Sequence, residues 1–183
     1  RHIAYIGYPY ELNGRFYQDD FGETLSLENF YREMEQGAST KTAQINAYEF
    51  TQYFETFLSQ GKDVLHICLS SGITGVLNAA QMAKNELEDK YPDRSIYLVD
   101  SLAASAGSGL LVEKLADLRD EGMDIEQLWQ WVQENKLRVN HWFFSSDLKY
   151  YIRGGRISKT AGIAGTMLGI CPLLDVDVKG RLI

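Results

Sequence analysis

The chain has 183 residues, 45% of them hydrophobic and 23% charged, an ordinary balance for a globular domain with a substantial core. A net charge of −7 excludes a general nucleic-acid or anionic-membrane binder, which needs a surplus of lysine and arginine. No apolar run is long enough to span a bilayer, so stable membrane insertion is not expected, and the chain does not open on a signal-peptide pattern.

From the amino end, His2–Tyr8 is β-branched and aromatic and predicts a strand; Asn13-Gly14 follows at hairpin spacing, with Arg15–Tyr17 returning as a short second strand. Ser26 stands where an N-cap belongs, ahead of a helix over Leu27–Gln36 that Gly37 stops. A small, polar loop over Ala38–Asn46 leads to a second helix, Ala47–Gln60, with Phe50, Tyr53, Phe54 and Phe57 facing inward. Val64–Leu69 is a short continuous apolar run, the signature of a strand covered on both faces. A Ser/Gly/Thr turn over Ser70–Gly75 then enters a helix over Val76–Tyr91, closed by Pro92.

Ile96–Val99 reads as another buried strand; helices are expected over Leu110–Arg119 and Ile125–Asn135, a third strand over Val139–Phe144 and a short helix over Asp147–Ile152. The apolar, glycine-spaced segment Ile163–Leu174 lies beyond Gly154-Gly155-Arg156. Alternating strands and helices with crossovers of this length predict an α/β fold, a parallel sheet with helices on both faces. Cys68 and Cys171 are far apart in apolar segments and read as two reduced core thiols, which suits the cytoplasm. The first residue is Arg1 and the last residues follow a Lys179-Gly180 turn that should lead into a strand, so the chain reads as a fragment.

In an open parallel sheet, ligands bind outside the carboxyl ends of the strands, where helix N-termini point. Ser70, Ser71, Gly72 and Thr74 occupy such a place: hydroxyls and free N–H groups suit an anion, although the same residues equally suit a helix cap on a sharp turn. Asp100 at the next strand end reads as a cap or turn former, or as a ribose ligand of a nucleotide-binding module. Gly107-Ser108-Gly109 does not complete a dinucleotide motif, because Val112 stands where the third glycine belongs, and Gly155–Thr160 lacks the first half of a Walker loop.

A hydrolase or phosphatase would use Ser70 or Ser71, yet no G-x-S-x-G surrounds them, and neither His66 nor His141 falls in a triad pattern. His66 in its apolar strand reads as a core histidine. Three histidines and two distant cysteines give no metal-ligand spacing, so no metal and no cofactor are expected. Lys149, Arg153, Arg156 and Lys159 form a basic run, a solvated helix face in the ordinary case; glycines leave Arg156 free to meet a carboxylate or phosphate.

Taken together, Leu69–Gly75 (LSSGITG), Val99-Asp100-Ser101 with Ser105, Gly107 and Gly109, and Ile152–Ser158 (IRGGRIS) resemble the DegV family of fatty-acid-binding proteins. Lys41-Thr42-Ala43-Gln44 is similar to that family's Thr-Ser-Gln loop, and Ile170-Cys171-Pro172 to its Ile-Lys-Pro. The resemblance implies a non-catalytic lipid carrier of two lobes, cytoplasmic and bacterial, with no cofactor besides a long-chain fatty acid as ligand. It presents the carboxylate to a separate ATP-dependent fatty acid kinase, which forms the acyl phosphate.

Residues 1–150 would be the head-group-binding lobe and 151–183 the start of a connection into a second lobe. Thr42 and Thr74 map to the family's head-group ligands, with Ser70, Ser71 and Gly72 beside them, and Arg156 to an arginine near the phosphate-transfer site; the chain is expected to be a monomer. Ala43 replaces the family's serine, Thr74 keeps a hydroxyl where serine is usual, and Cys171 replaces a lysine, removing any charge role there. A sixteen-carbon tail gains about 0.8 kcal/mol per buried CH₂, on the order of 10 kcal/mol gross, and its buried carboxylate then requires donors.

Overall fold

The computed structural model describes residues 2–145, 147–157, 171 and 173–183. Its centre is a parallel pair, β4 (Val64–Cys68) beside β5 (Ile96–Asp100), in register from Val64↔Ile96 to Cys68↔Asp100. Alternation sorts the side chains of these strands to opposite faces. Val64, Cys68, Ile96 and Leu98 join one core with α2 (Ala47–Leu58) and α3 (Val76–Lys90), where Phe50, Phe54, Ala80 and Leu87 are buried. Leu65, Ile67 and Val99 join a second core with α4 (Ser105–Asp120) and α5 (Ile125–Asn135), built on Leu111, Leu115, Leu128 and Val132. The expected α/β arrangement with helices on both faces is therefore present.

Three expected elements differ. His2–Tyr8 is not a strand; β1 is Pro9–Leu12, and it pairs with β2 (Arg15–Gln18) across Asn13 and Gly14 at φ 51° and 79°. Positive φ at both central residues makes the tight hairpin that Asn-Gly favours. The polar loop before α2 contains β3 (Thr40–Thr42), which pairs antiparallel with β1, so these strands form a separate sheet of order β2-β1-β3. α1 (Leu27–Glu35) lies between β2 and β3 in the chain, with Ser26 as its N-cap.

The third strand shrinks to β6 (Phe143–Phe144), which pairs antiparallel with β7 (Leu173–Leu174) and adds nothing to the parallel sheet. α6 (Lys149–Arg153) follows β6, and a hairpin over Asp175–Ile183 follows β7, closed by the Val176↔Leu182 bridge and mutual Asp175–Ile183 hydrogen bonds of 3.0 Å. Cys68 is buried and Cys171 exposed, both free; the expectation of two core thiols thus fails for Cys171. Most of the apolar segment Ile163–Leu174, and Lys159, lie outside the described residues. Among the described residues no helix is long and apolar enough to cross a membrane.

Candidate functional site

Ser70 leaves β4 with every polar atom engaged inside the protein. Its amide donates to the Ala103 carbonyl (3.0 Å), its carbonyl accepts from the Ile73 and Thr74 amides (3.0 and 3.1 Å), and its hydroxyl donates to the Gly180 carbonyl (2.7 Å) while accepting from the Gly72 amide (3.1 Å). Its side chain is 0% exposed. The Ser71 hydroxyl donates to the Asp100 carboxylate, which also accepts from the Ser71 and Leu102 amides, each at 3.1 Å. Asp100 is thus the turn former of the two readings given above, its oxygens already engaged. Lys136 donates to the Asp100 carbonyl at 3.0 Å and so pins the end of β5; burial lowers its pKa and Asp100 partly opposes that.

These contacts redistribute the residues expected to bind. The Ser70 and Ser71 hydroxyls serve the turn itself, and the amides of Gly72, Ile73 and Thr74 point back to Ser70 instead of outward. Thr74 is half-buried and Thr42 exposed, and neither hydroxyl has a hydrogen-bond partner among the described residues. Thr42 ends β3, in the antiparallel sheet opposite Tyr10, whereas Thr74 follows β4. Thr42 thus belongs to the antiparallel sheet and Thr74 to the turn that leaves the parallel pair. Their loops meet through Gln44, whose amide group lies so close to Gly75 that a β-carbon there would stand 3.3 Å from Oε1.

Thr42 opens onto a cavity of about 510 Å³ that it lines with Thr40, Lys41, Tyr150, Arg153 and Arg156. α6 and its glycine turn supply the far wall. Gly155 turns the chain at φ 72°, where glycine is favoured, and the Arg156 guanidinium donates back to the Gly154 carbonyl. The Tyr150 hydroxyl reaches the Met34 carbonyl at the end of α1 (3.4 Å), while Lys149 and Arg153 sit over its ring at 4.7 and 5.8 Å. No carboxylate among the described residues pairs with Lys41, Arg153 or Arg156. In an acidic chain, three uncompensated cations beside two threonines favour an anion.

Sequence reasoning did not single out Lys41 or Tyr150. The signal for Lys41 was its place beside Thr42; for Tyr150 there was none, because the partner of its hydroxyl, the Met34 carbonyl, comes from another part of the chain.

Neither histidine is placed as a base for Ser70 or Ser71. His66 stands edge-on to Phe50 and Phe54, ring centroids 5.3 and 5.2 Å away, and burial pushes its pKa down to about 4. His141 packs against Gly107, where a β-carbon would come within 2.8 Å of its ring. Burial, reinforced by Asp100, raises the Cys68 thiol to about 12, so it is an inert core group at neutral pH. A second hollow, of about 370 Å³, runs along β4 past Val64, Leu65, His66 and Ile67 and touches none of the head-group candidates.

Comparison with known proteins places this arrangement. A family model described as "Uncharacterised protein, DegV family" matches residues 1–183. A DegV domain-containing protein of Clostridium perfringens is 37% identical over 98% of the chain, and one of Lactococcus lactis 33% identical over 99%. The chain spans 62% and 63% of the length of these two relatives. Among solved structures, a fatty-acid-binding DegV family protein from Thermus thermophilus superposes with a TM-score of 0.80 at 27% identity, covering 97% of this chain and 61% of that one. The Streptococcus pneumoniae Fatty Acid Kinase (Fak) B3 protein, loaded with linoleic acid, gives 0.85 at 25% identity, with 97% and 61% covered. With the family model matched from end to end and the fold shared, the chain belongs to the DegV family.

Proposed function

We propose that this chain binds the head group of a long-chain fatty acid, its carboxylate taken by the hydroxyls of Thr42 and Thr74, and presents it to a separate ATP-dependent kinase that makes the acyl phosphate. Residues 1–150 form the head-group-binding lobe and supply both threonines; residues 151–183, which begin the connection to a second lobe, add Arg153 and Arg156 to the cavity wall. The observation that carries the reading is the cavity shared by Thr42, Lys41, Arg153 and Arg156; the Gln44–Gly75 contact ties the loop that carries Thr42 to the turn that carries Thr74. Two unengaged hydroxyls supply donors to a carboxylate, and the cations beyond them favour its charged form. The fatty-acid-binding and linoleate-loaded relatives support the ligand class. In this reading Arg156, in its glycine turn, meets charge that develops during phosphoryl transfer.

Mass spectrometry of an organic extract of the protein, purified from a bacterial host with its second lobe present, should find a saturated or monounsaturated long-chain fatty acid; residues 1–183 alone should bind weakly or not at all. Thr42→Val and Thr74→Val keep the shape and delete one donor each, and each should weaken binding about ten- to a hundredfold, as expected for hydrogen bonds to a charged group. Thr→Ser should be nearly silent at both positions. Normal binding by both valine variants would sink this head-group assignment.

A further inference from the structure

The hairpin Asp175–Ile183 is braced from within. The Asp177 carboxylate accepts from the Lys179 and Arg181 amides, both at 2.9 Å, and from the Arg181 guanidinium. The Gly180 amide returns to the Asp177 carbonyl at 2.8 Å. This stiff tip rests on the turn after β4. A β-carbon on Gly180, which sits at φ 72°, would lie 1.9 Å from the Ser70 hydroxyl oxygen, and one on Gly72 would lie 2.6 Å from the Gly180 carbonyl. Two glycines thus approach each other with one buried hydroxyl between them. That hydroxyl and its own carbonyl hold the amides of Gly72, Ile73 and Thr74, so the hairpin, Ser70 and Thr74 form one chain of contacts.

We propose that Ser70 and Gly180 are positioning residues: the hairpin tip, acting through the Ser70 hydroxyl, sets the orientation in which Thr74 offers its own hydroxyl to the ligand. The inference rests on the reading that Thr74 meets the carboxylate. A turn that contains Gly72 and Gly75 has wide backbone freedom, and a donor held in one orientation binds more tightly than one that must be ordered on binding. Ser70 itself does not donate to the ligand, since its one O–H is given to the Gly180 carbonyl. The arrangement also gives a segment 110 residues further along the chain a direct hold on the head-group turn.

The test is a set of fatty-acid affinities measured at a temperature where each variant is folded, using palmitate as the probe. Ser70→Ala removes one oxygen and should weaken binding about tenfold, the cost of one poorly aimed bond to a charged group. In that background Thr74→Val should add less than about twofold, because the hydroxyl it deletes is no longer aimed, while Thr42→Val keeps its full cost. A purely structural Ser70 would leave the Thr74→Val penalty unchanged. Gly180→Ala should also weaken binding, and adding Ser70→Ala should restore part of it, because the oxygen that clashes with the new β-carbon is gone. If Gly180→Ala does not fold, the Ser70→Ala series decides alone.

Wild-type affinity in Ser70→Ala, or penalties of Ser70→Ala and Thr74→Val that simply multiply, would overturn the proposal. A silent Thr74→Val in the otherwise wild-type protein would instead overturn the head-group reading on which it rests.

Discussion

His66 couples stability to pH because it is folded into a place where it cannot take up a proton. Its pKa falls from 6.5 to about 4 on burial between Phe50 and Phe54. As the pH drops below 6.5 the unfolded chain gains a proton that the folded chain refuses until about 4, so stability declines across that window and is fully present above it. The size is on the order of 3 kcal/mol. Chemical denaturation of wild type and His66→Gln at pH 7.5 and 4.5 should show a smaller loss in the variant; equal slopes would assign the pH dependence to other groups.

Arg156→Ala should leave fatty-acid affinity nearly intact yet strongly reduce acyl phosphate formation with the proposed kinase partner, since the guanidinium lies in an exposed glycine turn suited to a developing phosphate charge. A large loss of affinity with normal phosphorylation would reverse that role. At this scale the sequence was legible where a residue's chemistry acts locally: Asp100 as a turn former, His66 as a core group. For Ser70 and Ser71 it left a binding and a capping role open; their hydroxyls are taken by Gly180 and Asp100, partners visible only in three dimensions.

Helices declared themselves through caps and periodicity. Asn46 with Glu49 and Asp124 with Gln127 close reciprocal capping boxes on α2 and α5, and Asn46→Ala should cost about 1 kcal/mol in a denaturant titration. α4 was expected to begin only at Leu110 because Gly107 and Gly109 weaken a helical pattern. It begins at Ser105, and the reason for Gly107 is His141 against its backbone. Gly107→Ala therefore sets two effects in opposition: about 1 kcal/mol gained in helix propensity against 1–3 kcal/mol lost by forcing a β-carbon into a ring held 2.8 Å away. Net destabilisation is expected, and it should vanish in a His141→Ala background. Retained stability of Gly107→Ala alone would mean that the ring moves freely. The short strands β3 and β7 carried no usable signal, since two or three residues cannot show a period and their partners are distant in sequence; β6 is the last two residues of the strand expected over Val139–Phe144.

At the scale of the molecule, continuous apolar runs at Val64–Leu69 and Ile96–Val99 foretold a sheet covered on both sides, and two cores on opposite faces of β4 and β5 are what resulted. Phe54→Ala on one face and Leu128→Ala on the other should each cost about 2–5 kcal/mol, and their effects should add because the sheet separates the sites. The antiparallel sheet was missed as a unit because its third strand was read as loop.

The Ser70–Gly180 contact has a further, kinetic consequence. It joins positions 110 residues apart, so the entropy of closing that loop must be overcome before the contact returns anything. Folding should therefore consolidate the helices and the parallel pair first and seat the hairpin last. In native-state hydrogen exchange, the hairpin amides of Asp177 and Gly180 should open by a low-energy local route, well ahead of those in β4 and α3. An exchange pattern in which all of them open together would show instead that the hairpin belongs to the global unfolding unit.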